Sequence, residues 1–203
     1  IRYAVRHRRA DGWMPDRVTT DGLAVYAAGI AAAPVGEANL DNTPFLIFTV
    51  DSLSRRMDTD AFLPLFTEWE AVLEQGLFLL PIDENGLVYN DVQKPHSPYG
   101  FTDTIGKTGT LYMESLLYWR ACRMMEHMCK TYGVGNPDHF AEAAEAVERS
   151  LSLLFDPAAG AFYAATKDCH QYDIWGMAYM LYIGFPCSAD EKQAVLSFLE
   201  KNY

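Results

Sequence analysis

Two aspartates, Asp91 and Asp103, lie in a polar stretch that is rich in glycine, proline and aromatic residues and that leads into a long apolar segment. A carboxyl group in a partly desolvated pocket has a raised pKa and can donate a proton near neutral pH. The ordinary alternative is structural, because a loop aspartate commonly accepts hydrogen bonds from nearby backbone N–H groups. Both residues are therefore candidates for acid–base chemistry.

The same stretch contains GFTDTIGKT (100–108), whose end is similar to a phosphate-binding loop. That loop follows the pattern Gly-x-x-x-x-Gly-Lys-Ser/Thr, and here Phe101 occupies the position of the first glycine. A phosphate-binding loop also follows a buried strand, whereas residues 91–99 are polar and contain two prolines. The spacing therefore argues against nucleotide binding.

The composition sets the broad class. The chain has 203 residues, of which 50% are hydrophobic, and a net charge of −11. This length predicts a single domain over residues 1–203 with one sizeable core. The acidic charge argues against partners such as nucleic acid and anionic membranes, and no apolar run is long enough to span a bilayer. The sequence begins at Ile1 in what resembles the end of a helix, so we expect an excerpt of a longer protein, and its localisation is not predicted.

The metal-ligating residue types show no ligand spacing. The four cysteines form no C-x-x-C pair, and the five histidines are scattered along the chain. We therefore expect buried free thiols, no metal site and no cofactor. The cysteines are Cys122, Cys129, Cys169 and Cys187.

Six segments have the hydrophobic periodicity of helices, and mostly apolar segments alternate with amphipathic ones. Proline and asparagine at the starts and glycine at the ends support the assignments. The predicted helices cover residues 43–57, 60–79, 108–133, 137–155, 171–185 and 188–203. Residues 11–42 are predicted to form a long, ordered loop with little regular structure. The fold class is therefore all-α, with little strand.

The alternation of the helices predicts their arrangement. A long polar and aromatic loop precedes each buried helix, and a short turn then leads to an amphipathic one, which gives three αα-hairpins. Buried helices on the inside and half-exposed helices on the outside suit a ring of hairpins. Because the long loops precede the inner helices, they would gather at one mouth of the ring, where ligand sites form.

The hairpins resemble the (α/α)6 toroid of six-hairpin glycosidases, which include glycogen-debranching and trehalase-like glycoside hydrolases. The resemblance covers the whole chain but only about half of such a toroid. It rests on DGWMPDRVTTDG (11–22) with LDNTPFLIFTVDSL (40–53), on GLVYNDVQKPHSPYGFTDTIGKTGTLYMESLLYW (86–119), and on HQYDIWGMAYMLYIG (170–184). Half a toroid implies that missing hairpins of the same chain, or a second copy of it, cover the exposed inner helices.

This resemblance implies a glycoside hydrolase, of the inverting type, that acts on an oligosaccharide or glycoside. One carboxyl group protonates the leaving oxygen and a second carboxylate, about 6.5–9.5 Å away, activates water. Asp91 in VYND matches the acid position best, and Asp103 competes with it. The base usually comes from a late hairpin, and Asp173 is the best local candidate.

The resemblance also suggests residues that bind the sugar. Trp13, Tyr99 and Trp175 are candidates for stacking, because a pyranose offers an apolar C–H face to an aromatic ring. Each of them could equally fill the core. The polar candidates are Asp41, Lys107, Glu114, Gln171 and Asp173.

Each polar candidate has an ordinary alternative. Asp41 and Asp173 sit where helix caps are found, and Lys107 could pair with Asp91 or Asp103. Glu114 lies within an apolar helix, where a carboxylate is costly unless it is paired or faces the lumen of the ring. That cost makes Glu114 a better candidate than a surface glutamate.

Three other functions fit the same scaffold. A sugar epimerase would use histidines, of which only His96 and His170 lie in the long loops. A hydrolase or lyase of uronic acids would need basic residues such as Arg17 and Lys94. A non-catalytic helical-repeat module that binds carbohydrate or protein would need no carboxyl groups in these loops.

Overall fold

The computed structural model describes residues 1–30, 33–100 and 105–202. Helices are the main regular structure of the described residues and the strands are few and short, which confirms the all-α fold class and the helical hairpins. The α-helices are α1 (Arg2–Arg6), α2 (Asn42–Ser54), α3 (Thr59–Phe78), α4 (Tyr112–Tyr132), α5 (Pro137–Ser150), α6 (Ile174–Ile183) and α7 (Ala189–Asn202), and a short 3-10 helix covers Leu151–Leu154. Among the described residues, no helix is long and apolar enough to cross a membrane.

Helix α4 lies at the centre of the structure. It packs against α2 on one side, α6 on another and α5 on a third. Every residue from Tyr112 to Trp119 is buried, so this half of the helix has no solvent-facing side. We call α2, α4 and α6 the inner helices and the helix that follows each of them, α3, α5 or α7, its outer partner. Only α4 is buried as expected, because α2 and α6 keep exposed residues such as Phe45 and Tyr182, which are 40% and 77% exposed.

The outer helix α5 shows how local sequence fixes these elements. Asn136 accepts a hydrogen bond from the backbone N–H of Asp138, and Pro137 occupies the first helical position, where its missing N–H costs nothing. Phe140, Ala144 and Val147 form one buried stripe along the helix. The preceding helix, α4, ends at Gly133 with φ of 67°, a left-handed conformation that glycine adopts without strain.

Short antiparallel hairpins occupy the segments between the helices. Residues 11–42, predicted to be loop, contain two of them, and the other two precede α4 and α6. The strand pairs are β1 (Arg17–Val18) with β2 (Ala24–Val25), β3 (Ala28–Ile30) with β4 (Ala33–Val35), β5 (Tyr89–Asn90) with β6 (Gly109–Thr110), and β7 (Phe155–Asp156) with β8 (Ala161–Phe162). These pairs hold the long segments against the ends of the inner helices.

The inner helices approach one another closely near their N-termini. A Cβ atom at Gly176 of α6 would lie 2.6 Å from Cδ1 of Tyr112 of α4. Tyr112 is fully buried, stacks on Phe162 and donates its hydroxyl to the sulfur of Met180. This contact fixes the start of α6, and with it Asp173 and Trp175, relative to α4.

The stability of the α3–α5 contact provides a test of the fold. Phe140 is fully buried and stacks on Phe78 at a centroid distance of 5.4 Å. Phe140→Ala should lower the free energy of unfolding by about 3–5 kcal/mol, measured by urea denaturation, because it removes apolar contacts and leaves a cavity. Leu153→Ala is the matched control, since Leu153 is 66% exposed, and should change it by less than about 0.5 kcal/mol. Equal effects of the two changes would contradict the packing described here.

Candidate active site

Three cavities adjoin one another where the long segments meet the N-termini of the inner helices. The Asp16 cavity, about 330 Å³, is lined by Asp16, Asp41 and residues of α2. The Tyr99 cavity, about 320 Å³, shares Asp41 with it and adds Tyr99 and Trp175. The Asp173 cavity, about 180 Å³, shares Trp175 and Gly100 with the Tyr99 cavity. Together they form a continuous polar and aromatic surface.

Asp41 is the residue that two of these cavities have in common. It precedes α2 as the N-cap residue, but its side chain accepts no capping hydrogen bond from the helix. Burial, followed by the nearby charges of Glu114 and Asp16, raises the pKa of the Asp41 carboxyl from its usual value to about 6. Its own backbone N–H and Lys107 act in the opposite direction. Asp41 can therefore hold a proton in mildly acidic solution.

Asp16, which the sequence analysis did not single out, stands on the other side of Asp41. Its Oδ2 pairs with the guanidinium of Arg17 at 2.5 Å, and its Oδ1 accepts a hydrogen bond from Nδ2 of Asn39 at 2.9 Å. Asn39 in turn accepts the backbone N–H of Ala28 at 2.7 Å. Both oxygens of Asp16 are thus engaged by donors on neighbouring residues. The available signal was the Asp-Arg pair within residues 11–22.

Glu114 lies beneath the Tyr99 cavity on α4 and is 2% exposed. Its Oε1 accepts the backbone N–H of Tyr99 at 2.7 Å and lies 3.8 Å from Nζ of Lys107. Burial raises the pKa of the Glu114 carboxyl, while Lys107 lowers it. Lys107 also donates to the carbonyl oxygen of Tyr99 at 2.6 Å. Lys107 thus pairs with Glu114 and not with Asp91; the alternative partner, Asp103, lies outside the described residues.

Asp173 begins α6 and lines the smallest cavity. Its Oδ1 accepts the backbone N–H of Gly176 at 2.8 Å, so this oxygen caps the start of the helix. Its Oδ2 is buried and has no hydrogen-bond partner. The exposed side chain of Gln171 and the half-exposed indole of Trp175 line the same cavity. Asp173 therefore has one oxygen free to accept a hydrogen bond from a ligand.

The structure brings together seven of the ten predicted site residues. They are Asp41, Tyr99, Lys107, Glu114, Gln171, Asp173 and Trp175. Asp91 lies apart: it is exposed, and its Oδ1 accepts the backbone N–H groups of Gln93 and Lys94. Trp13 is 6% exposed and packs against His96 in the core. The roles predicted for Asp91, Trp13 and Asp103 stay predictions.

The two loop histidines are engaged elsewhere. His96 packs on Trp13, and burial lowers its pKa. His170 stacks on Tyr163 at 3.9 Å and its Nδ1 contacts the carbonyl oxygen of Ala165. Neither lines any of the three cavities. The described ranges also contain no group of three or more histidine, cysteine or acidic residues that could hold a metal ion.

Two solved structures share the fold. The GH78 family rhamnosidase of Bacillus sp. GL1 superposes with a TM-score of 0.65 and 16% sequence identity over 82% of this chain and 18% of that one. A rhamnosidase from Klebsiella oxytoca with rhamnose bound superposes with a TM-score of 0.72 and 12% identity over 98% of this chain and 36% of that one. No family model and no curated protein matches the sequence.

These similarities concern the fold. GH78 rhamnosidases have an (α/α)6-toroid domain, and this chain spans 18% and 36% of the lengths of the two neighbours. The three hairpins thus share the fold of part of these two neighbours. The cavities lie in the part of the hairpins where the sequence analysis placed the mouth of the ring.

The raised pKa of Asp41 predicts a pH dependence of stability. The folded chain binds this proton up to about pH 6, whereas an unfolded chain releases it near pH 3.9. Between these values the folded state binds more protons, so this group's contribution to the free energy of unfolding falls as the pH rises from about 4 to about 6.

Asp41→Asn should remove this loss. Urea denaturation at pH 4 and pH 7 should show the variant gaining about 1–3 kcal/mol relative to wild type between the two values. A difference between variant and wild type that stays constant with pH would contradict the buried state of Asp41.

Proposed function

We propose that this chain is part of a glycoside hydrolase, of the inverting type, that acts on an oligosaccharide or glycoside. The observation that most favours this function is the carboxyl group of Asp41, which is held at a pKa of about 6 in the wall shared by two cavities. A general acid works best when its pKa lies near the operating pH. The glycosidase architecture of the structural neighbours supports the same function.

In this proposal Asp41 protonates the leaving oxygen. The Tyr99 cavity receives the scissile bond, and the Tyr99 and Trp175 rings, whose centroids lie 6.3 Å apart, face the apolar side of the sugar. Asp173, beyond Trp175, is the candidate base, because one of its oxygens has no protein donor. Gln171 lines the same cavity as Asp173 and can hydrogen-bond to sugar hydroxyls.

The residues of the site give less support to the two other enzyme functions considered for this scaffold. An epimerase would need a histidine at the sugar, and His96 and His170 both lie outside the three cavities. A uronate enzyme would need a basic residue available to a carboxylate. Lys107 already neutralises Glu114, Arg17 pairs with Asp16, and Lys94 lies near Glu37.

Hydrolysis assays test the acid. The longest natural chain that contains these residues should be assayed on aryl α- and β-glycosides, with α-L-rhamnosides first because both neighbours are rhamnosidases. Asp41→Asn should lower kcat/KM by about 10²–10⁴-fold, because it removes the proton donor. Proton NMR of the first-released sugar should show the inverted anomer.

Asp91→Asn, assayed beside it, separates the two acid assignments. It should change kcat/KM by less than about threefold if Asp41 is the acid, since Asp91 is exposed and Asn can keep its loop hydrogen bonds. Loss of activity in Asp91→Asn with full activity in Asp41→Asn would move the acid to Asp91. Full activity in both variants would assign the general acid to Asp103 or to a residue elsewhere.

The aromatic residues that line the Tyr99 cavity provide a separate test. Trp175→Ala should raise KM about three- to tenfold, because a stacking contact contributes about 0.5–1.5 kcal/mol. Leu153→Ala is the comparison, since Leu153 is 66% exposed and lines none of the three cavities. Equal KM values for Trp175→Ala and wild type would remove Trp175 from the sugar site.

A further inference from the structure

The pair formed by Glu114 and Lys107 is the most buried pair of opposite charges near the cavities. The side chain of Glu114 is 1% exposed and that of Lys107 is 13% exposed. Removing two charges from water costs more free energy than their mutual attraction returns, unless further hydrogen bonds satisfy both groups. A buried charged pair beside a candidate active site therefore suggests a role other than stabilising the fold.

The hydrogen bonds of this pair converge on one residue of the cavity wall. Glu114 accepts the backbone N–H of Tyr99, and Lys107 donates to the carbonyl oxygen of Tyr99. Both polar groups of this peptide residue are thus held by charged side chains, and such hydrogen bonds are stronger than neutral ones.

The ring of Tyr99 connects the pair to the inner helices. Its centroid lies 5.7 Å from that of Phe45 on α2 and 6.3 Å from that of Trp175 on α6. Glu114 itself belongs to α4. The pair therefore fixes the position of Tyr99 with respect to all three inner helices.

The same two charges act on Asp41 with opposite signs. After burial and its own backbone N–H, the negative charge of Glu114 is the next influence on the Asp41 pKa, which it raises; Asp16 also raises it, and Lys107 lowers it. Asp173 acts on Glu114 in turn by raising its pKa. These are the leading charged groups that act on Asp41 and Glu114 among the described residues.

We propose that Glu114 and Lys107 are positioning residues for the reaction: they fix Tyr99 as a cavity wall and set, through their opposite charges, how readily Asp41 holds its proton. Neither needs to touch the sugar, since both act through Tyr99 and through the field at Asp41. The catalytic consequence rests on the proposed glycosidase function, whereas the coupling of charges to Asp41 does not.

Carboxyl NMR of ¹³C-labelled aspartate tests the coupling directly. The Asp41 signal, assigned with Asp41→Asn, is titrated in wild type, Glu114→Gln and Lys107→Met. Glu114→Gln should move the Asp41 midpoint to lower pH because a like charge is removed, and Lys107→Met should move it to higher pH. Glutamine can still accept the N–H of Tyr99, which favours folding of the first variant.

Asp51→Asn is the matched control. Asp51 is a carboxylate on α2 that is 3% exposed, and its charged partner is Arg55. It is not among the groups that act on Asp41, so the Asp41 midpoint should not move. Midpoints that move in the same direction in Glu114→Gln and Lys107→Met, or in neither, would overturn the proposal.

Kinetics test the positioning role. Lys107→Met should lower kcat/KM by up to about 100-fold, because a cavity wall is displaced, and should shift the pH profile upward. Lys107→Arg should restore the pH profile, since it keeps the charge.

If Lys107→Met and Glu114→Gln both fail to fold, the pair is structural and the proposal is wrong. If the NMR shifts occur but no variant or wild type hydrolyses a glycoside, the coupling holds and the glycosidase function fails.

Discussion

The arrangement of the candidate site depends on a carboxylate buried among apolar residues. Glu114 lies in the stretch of α4 from Tyr112 to Trp119, which is buried on every side. A carboxylate in such surroundings is strongly disfavoured without donors and an opposite charge. Tyr99 and Lys107, from the segment that precedes α4, supply both to Oε1, whereas Oε2 is buried without a hydrogen-bond partner. The requirement to satisfy Glu114 therefore holds this segment over the inner helices, where it forms the walls of the cavities.

The carboxyl groups around these cavities differ in what surrounds them, and this difference gives them different chemistry. Asp16 receives hydrogen bonds from Arg17 and Asn39. Asp41 lacks a capping hydrogen bond, and burial raises its pKa. A carboxyl group whose surroundings raise its pKa is the one suited to act as a general acid.

Much of the fold could be predicted from local sequence. Apolar periodicity located the six main helices to within a few residues, and Asn136, Pro137 and Gly133 marked their ends. The short strand pairs within residues 11–42 were missed, because strands of two or three residues leave no alternating pattern. Their pairing depends on contacts that local sequence does not encode.

The site could be predicted in part. Glu114 stood out because a lone acid in an apolar helix needs a partner, and the structure supplies one. The identity of that partner, Lys107, could not be read from spacing, because Asp91 and Asp103 were alternative partners for the same lysine. Asp41 looked like a simple cap, yet its side chain makes no capping bond. Burial of Trp13 and the role of Asn39 at Asp16 depend on tertiary packing, which residue type does not reveal.

A crystal structure with a bound iminosugar, whose ring nitrogen mimics the charge that develops on the sugar, would test the account most directly. The account predicts that the ring lies in the Tyr99 cavity, with a face against Trp175 and with the carboxyl of Asp41 within hydrogen-bond distance of the sugar. Iminosugar bound away from these residues, or no binding by a folded chain that contains the whole toroid, would contradict it.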